Sequence, residues 1–111
     1  MQIFSDKATT ATLERYLEHL QIDCIIVDLE QPDDQGLRST AVGMTLVPML
    51  SVAYPTTPII MVGWQTVTAY ERDPRWQIVI NLKNVTFRRL PVVKDDVLSA
   101  ISEVNERLTQ L

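Results

Sequence analysis

Runs of apolar residues and stretches of helical periodicity alternate along the 111-residue chain. Residues 24–27 and 59–62 are unbroken apolar runs bounded by turn-forming residues, a pattern typical of buried strands. Because neither run alternates with polar residues, both favour central parallel strands that are covered on two faces. Residues 1–4 form a shorter strand candidate, and residues 85–90 alternate apolar and polar side chains as an edge strand does.

Helical periodicity fills the intervals between these strands. An amphipathic stripe within residues 13–20 predicts the first helix, and another within residues 97–108 predicts the last. A helix is expected at residues 45–54, with Pro48 in its first turn, where proline is tolerated. Residues 66–72 predict one or two helical turns, whereas residues 78–80 fit either a short strand or the remnant of a helix. This alternation predicts a single α/β domain over residues 1–111 with a mostly parallel sheet.

Charge and composition exclude several functional classes. The net charge of -4 and the scattered lysines and arginines argue against a nucleic-acid-binding surface. No apolar run approaches the roughly 20 residues that a membrane span needs, and the first residues lack the pattern of a signal peptide. Cys24 is the single cysteine, so an internal disulfide is excluded and a cytoplasmic location is expected. Its position in an apolar strand indicates a core residue rather than a reactive thiol.

Asp28 closes the first long apolar run and is the leading candidate for chemistry. Open α/β sheets hold their sites at the carboxyl ends of strands, which is where Asp28 is expected. Two interpretations follow: a phosphorylated or magnesium-binding carboxylate, or a strand-end aspartate that caps the amides of the next loop. Glu30 with Asp33 and Asp34 is a weaker candidate for a cation site, since neighbouring loop acids usually form a solvated face.

Three segments in order resemble the receiver domain of bacterial two-component response regulators. They are residues 23–32 with Gly36, residues 57–63, and residues 87–101. The resemblance identifies them with the phosphoacceptor strand and loop, the fourth strand, and the fifth strand with the last helix of a receiver. It implies a flavodoxin-like, three-layer sandwich with a sheet of four to five strands, in which Asp28 is the phosphoacceptor position.

Most of the other functional positions of a receiver are degenerate here. The family holds magnesium with an acidic pair after its first strand, because a divalent ion must offset phosphoryl charge; Asp6 is the candidate carboxylate in this chain. Gly63 stands where the family has a threonine or serine hydroxyl. Leu90 precedes Pro91 where the family has a lysine that neutralises the phosphate. Magnesium is therefore expected only if Asp28 is functional, and no other cofactor is expected.

The chain is also short for a receiver, because only 27 residues precede Asp28. That is room for one βα unit where the family has two, so the sandwich is expected to be incomplete. The first strand is assigned by preference to the family's second strand, with its first strand as the alternative. Since right-handed crossovers between advancing strands place helices on one face, the other face is left to the final helix. We expect an exposed apolar sheet face that binds another protein or a second copy, with a homodimer as the expected state.

The sequence thus predicts a non-catalytic signalling module, a pseudo-receiver that acts by protein–protein contact. By resemblance, the region around the fourth and fifth strands is the output face, with candidate interface residues Trp64, Tyr70, Trp76 and Phe87. One alternative is an atypical phosphoacceptor receiver that uses Asp28. A second is a small α/β ligand-binding domain or enzyme, but the chain lacks a glycine-rich phosphate loop, a nucleophile with a nearby base, and a metal-ligand cluster.

Overall fold

A four-stranded parallel sheet forms the centre of the protein in the computed structural model, which describes residues 2–4, 23–32, 35 and 38–110. The strands in chain order are β1 (Gln2–Phe4), β2 (Ile25–Asp28), β3 (Gln31–Pro32), β4 (Arg38–Ser39), β5 (Ile59–Gly63) and β6 (Val85–Arg89). The central sheet has the order β1-β2-β5-β6, with every neighbouring pair parallel. The short strands β3 and β4 form a separate antiparallel pair. The predicted α/β class and the edge position of β6 are confirmed.

Four helices lie within the part of the chain that the structure describes. They are α1 (Ala41–Ala53), α2 (Val67–Tyr70), α3 (Arg75–Ile80) and α4 (Lys94–Thr109). The segment 78–80, left open between strand and helix, is the end of α3. The final helix is confirmed, and the Asp96 carboxylate accepts a hydrogen bond from the Val93 amide at its start at 3.0 Å. The amphipathic stripe at residues 13–20 lies outside the described residues.

The predicted start of α1 was wrong. The helix begins at Ala41, four residues before the expected start, and Pro48 lies in its interior. The Ser39 hydroxyl accepts a hydrogen bond from the Ala41 amide at 3.1 Å, which supports the earlier start. An interior proline costs about 3 kcal/mol, whereas burial of a large apolar side chain contributes roughly 1.5–3 kcal/mol. Met44, Val47 and Leu50 are all buried, so their packing on the sheet outweighs the proline.

The two faces of the sheet carry separate apolar clusters. On one face, Ile25 and Val27 of β2 and Met61 of β5 pack in the cluster that includes buried residues of α1, α2 and α3. On the other face, Ile26 and Ile60 pack with Ala100 of α4. The alternation follows the two-residue period of a strand. Among the described helices, three therefore cover one face and α4 alone covers the other, as the advancing strand order predicts.

The first strand lies directly beside the strand of Asp28. Gln2 pairs with Ile25 and Phe4 with Val27, in parallel register. In the receiver-like strand order 2-1-3-4-5, the neighbour of the third strand is the first. The preferred assignment of β1 to the family's second strand was therefore wrong, and the alternative fits. Among the described strands, none lies outside β1 at this edge of the sheet.

Candidate functional site

Three of the sequence-predicted positions meet at the carboxyl edge of the sheet. Asp28 ends β2, Gly63 ends β5, and Leu90 directly follows β6. Main-chain bonds join these ends: the Leu29 amide donates to the Val62 carbonyl at 2.9 Å, and the Leu90 amide donates to the Gly63 carbonyl at 2.8 Å. The Leu90–Pro91 peptide is cis. Asp6, Asp33, Asp34 and Gly36 lie outside the described residues.

Asp28 is half-buried and bonded to its own loop. Its Oδ1 accepts a hydrogen bond from the Glu30 amide at 2.9 Å, the contact of an Asx turn. Its main-chain carbonyl accepts a second bond from Gln31 Nε2 at 2.7 Å. These contacts are those of a strand-end aspartate that orders the following turn. The alternative role of Asp28 as a phosphoacceptor stays a prediction.

Glu30 is the buried carboxylate of the site, since its side chain is only 8% exposed. Its Oε2 accepts a hydrogen bond from the Trp64 amide at 3.2 Å, and its Oε1 accepts one from Gln65 Nε2 at 2.7 Å. A buried carboxylate is stable only when such donors replace its lost hydration. Glu30 therefore ties the loop after β2 to the loop after β5. Among the described residues, no cluster of three or more metal-ligating side chains occurs.

Tyr70 fills the space that a side chain at position 63 would need. A β-carbon added to Gly63 would lie 2.0 Å from the Tyr70 hydroxyl oxygen and 2.6 Å from its Cζ. The Tyr70 side chain is 2% exposed. Its ring stacks on Trp76 at 5.8 Å and meets the edge of Phe87 at 5.4 Å between centroids. Because these rings hold Tyr70 on both sides, it cannot readily move to admit a threonine or serine.

The Tyr70 hydroxyl belongs to the same polar network as Glu30. It accepts a hydrogen bond from the Gln65 amide at 3.2 Å. Burial raises its pKa most; the Gln65 amide lowers it, while the nearby Glu30 and Asp28 carboxylates raise it further. The hydroxyl is thus protonated at neutral pH. No sequence pattern predicts this network, because its members come from the loop after β2, the loop after β5 and the helix α2.

The cations next to position 90 are engaged with other groups. Arg89 Nε donates to the Trp64 carbonyl at 3.0 Å. Arg88 Nη1 donates to the Phe87 carbonyl at 2.9 Å and pairs with Glu103 of α4 at 3.2 Å. Leu90, in the lysine position, packs against the apolar cluster beneath α4. Both arginines are thus held by main-chain carbonyls or by Glu103 of α4.

The four aromatic interface candidates separate into a surface residue and a ring cluster. Tyr70 and Trp76 are buried, and Phe87 packs edge-on against Trp76 at 5.5 Å. Trp64 is 51% exposed. Assignment of Tyr70 and Trp76 to an interface was therefore wrong, because the rings are the inner support of the site. Trp64 remains a predicted contact residue on this edge of the molecule.

Cys24 lies away from this edge, at the amino end of β2, and is 1% exposed. Burial raises the pKa of its thiol to about 11. The thiolate, which is the reactive form, is therefore scarce at neutral pH. The interpretation of Cys24 as a core residue is confirmed.

The fold is similar to that of a response regulator receiver protein from Sinorhizobium medicae. The two structures have a TM-score of 0.56 and 14% sequence identity, over 90% of this chain and 72% of that chain. No protein-family model and no curated protein matches the sequence. The likeness establishes the receiver-like fold, which is the fold that the sequence resemblance predicts. In the described part of the chain, no helix has the length and apolarity to cross a membrane.

Proposed function

We propose that the protein is a pseudo-receiver, a regulatory module that acts by protein–protein contact and is not phosphorylated at Asp28. One observation carries this proposal: the Tyr70 ring occupies the space beside Gly63 from which a receiver presents its phosphoryl-binding hydroxyl. The receiver-like fold supports a signalling role. The module performs no reaction of its own and needs no cofactor.

The electrostatics of the site also oppose phosphoryl transfer. Catalysis of this reaction depends on positioned cations that neutralise the transferred group. Here Glu30 is buried close to Asp28 and Leu90 replaces a lysine. A phosphorylated side chain carries roughly -1.5 to -2 charges at neutral pH. Such a group on Asp28 would lie near the Glu30 carboxylate, and position 90 supplies no lysine to neutralise it.

Side chains next to the degenerate phosphoryl site hold the loop after β5 in one conformation. Glu30 binds the amide of Trp64 and the side chain of Gln65, and Tyr70 binds the amide of Gln65. In a switching receiver, the loop after the fourth strand would respond to phosphorylation. In this chain, internal side chains supply those contacts permanently. We therefore expect the surface around Trp64 to be presented constitutively.

Incubation with magnesium and acetyl phosphate tests this proposal directly. Intact-mass spectrometry of the native chain, with Asp28→Asn as the matched control, would detect phosphoryl addition. We expect no adduct that depends on Asp28. An adduct present in the native chain and lost in Asp28→Asn would show a phosphoacceptor receiver, the alternative function, and would overturn the proposal.

A further inference from the structure

The sheet face beneath α4 carries an apolar groove between that helix and β2. The groove has a volume of about 450 Å³, and its lining within the described residues is apolar except for Asp23 and Lys94. Ile26 forms part of its floor, while Val97 and Ile101 of α4 form part of its wall. Leu98 and Val93 also line it and are 50% and 62% exposed. Large apolar side chains grouped in this way mark an interaction surface.

The groove has opposite charges at its two ends. Asp23 precedes β2 and therefore lies at the amino edge of the sheet. Lys94 begins α4, which follows the carboxyl end of β6, so it lies at the opposite edge. Both side chains are exposed and line the groove. An apolar centre with a charged rim is the usual composition of a protein interface.

We propose that a second copy of this chain occupies the groove about a two-fold axis. A two-fold axis perpendicular to the groove places each end against the opposite end of the other copy. Asp23 of one protomer then faces the partner's Lys94, and the reverse pair forms at the other end. Leu98 of each protomer enters the groove of the other. The dimer goes beyond the proposed function, because the groove is a separate surface from the one around Trp64.

Charge complementarity favours a second copy over an unrelated protein. The groove carries one carboxylate and one ammonium at its ends, and this arrangement is complementary to itself after a two-fold rotation. A different partner would have to supply the same reversed pair. Leu98 is exposed in the lining of the groove, so a two-fold rotation brings the same apolar side chain to the contact from each copy.

The dimer is tested by sedimentation equilibrium over a concentration series, with the native chain and two glutamate variants. Leu98→Glu introduces a charge at the proposed interface, and Ile78→Glu is the matched control, since Ile78 is 61% exposed on α3, over the opposite face. We expect a concentration-dependent dimer that Leu98→Glu weakens at least about tenfold and Ile78→Glu leaves unchanged. Circular dichroism would verify that both variants fold.

Charge reversal tests the pairing itself. Asp23→Lys and Lys94→Asp should each weaken the dimer, and the double variant should restore it, because the two ends then attract again. A native chain that stays monomeric throughout, or a dimer insensitive to Leu98→Glu, would overturn the inference. A double variant that is as weak as the singles would overturn it too. The Asp28 experiment is independent, so a monomer leaves the pseudo-receiver proposal standing, and an Asp28 adduct leaves the dimer standing.

Discussion

At the scale of single residues, Gly63 and Tyr70 determine what the sheet edge can do. Gly63 has no side chain, and the Tyr70 hydroxyl occupies the space that a side chain would take. The hydroxyl oxygen lies so close that a β-carbon at position 63 would not fit. Tyr70 is held by Trp76 and Phe87, so the occupation is a property of the core and not of a mobile surface side chain. The two residues are therefore coupled, although seven positions separate them in the chain.

This coupling predicts that Gly63→Ala destabilises the protein by about 1–3 kcal/mol, the usual cost of overpacking. In a Tyr70→Leu background, the same substitution should cost at least about 1 kcal/mol less, since the clashing ring is gone. Urea unfolding of the two singles and the double variant measures the difference. Gly43→Ala is the matched control, because its β-carbon would meet Leu29 and the Asp28 carbonyl instead. An equal cost of Gly63→Ala in both backgrounds would contradict the coupling.

Part of the site was predictable from single residues. Asp28, Gly63 and Leu90 each follow an apolar strand, and parallel strands place their carboxyl ends at one edge. The network around Glu30 was not predictable, because Gln65 and Tyr70 approach it only through the packing of a short helix on the sheet. Tyr70 and Trp76 were predicted to lie at an interface because aromatic residues are common both in cores and at interfaces, and the sequence alone does not distinguish the two.

At the scale of secondary-structure elements, long-range contacts override local propensity. Pro48 led to the prediction of a late start for α1. The helix nevertheless continues through Pro48, because the buried face of the helix packs on the sheet. Apolar periodicity predicted the type of β2, β5, β6 and α4, whose patterns are unbroken. The boundaries of α1 and the identity of α3 depended on tertiary packing, which the local pattern does not contain.

Asn84 joins three elements and should be essential for their arrangement. It is 2% exposed. Its Nδ2 donates to the Tyr54 and Thr57 carbonyls, each at 2.8 Å, and its Oδ1 accepts from the Ser51 hydroxyl at 2.6 Å. Asn84→Ala should lower the free energy of unfolding by about 2–4 kcal/mol, since buried carbonyls lose their donors.

Asn81→Ala provides a control for the Asn84 prediction. Asn81 is exposed at the end of α3, and its Nδ2 donates to the Gln77 carbonyl of that helix. Its replacement should change the free energy of unfolding by less than about 0.5 kcal/mol. Chemical denaturation of the native chain and both variants measures the two changes in the free energy of unfolding. Similar losses for the two asparagines would contradict the structural role of Asn84.

Asp73 links Arg75 of α3 to Thr40, the residue before α1. We expect this link to make the free energy of unfolding depend on pH. The Asp73 carboxylate pairs with Arg75 at 2.6 Å and accepts from the Thr40 hydroxyl at 3.3 Å. The bonds from Arg75 are the largest cause that lowers the pKa of Asp73, to about 2. Because the folded-state pKa is depressed, the contribution is fully present above about pH 4 and is lost as pH falls towards 2.

Asp73→Asn should therefore destabilise the protein by about 1 kcal/mol at neutral pH, a value reduced by the solvent exposure of Arg75. The difference from the native chain should shrink as pH falls below about 4. Urea denaturation between neutral pH and the acid limit of folding would measure it. In an Arg75→Met background, Asp73→Asn should change the free energy of unfolding much less, because the ion pair is already absent. A difference that stays constant with pH would contradict the ion-pair explanation.

At the scale of the whole molecule, the strand order distributes the helices unequally. Every described crossover advances in one direction, and the clusters show α1, α2 and α3 against one face and α4 against the other. The apolar groove lies on the face where α4 is the one helix among the described residues. This groove is the surface that we propose for association.

The central claim is that Tyr70 and Glu30 hold the site in one conformation that cannot respond to a phosphoryl group. Titration with magnesium and beryllofluoride, followed by two-dimensional amide NMR, tests it most directly. We predict that the amide resonances of Asp28, Gly63 and Trp64 stay in place, as they do in Asp28→Asn. A saturable shift of these resonances in the native chain, absent from Asp28→Asn, would contradict the account.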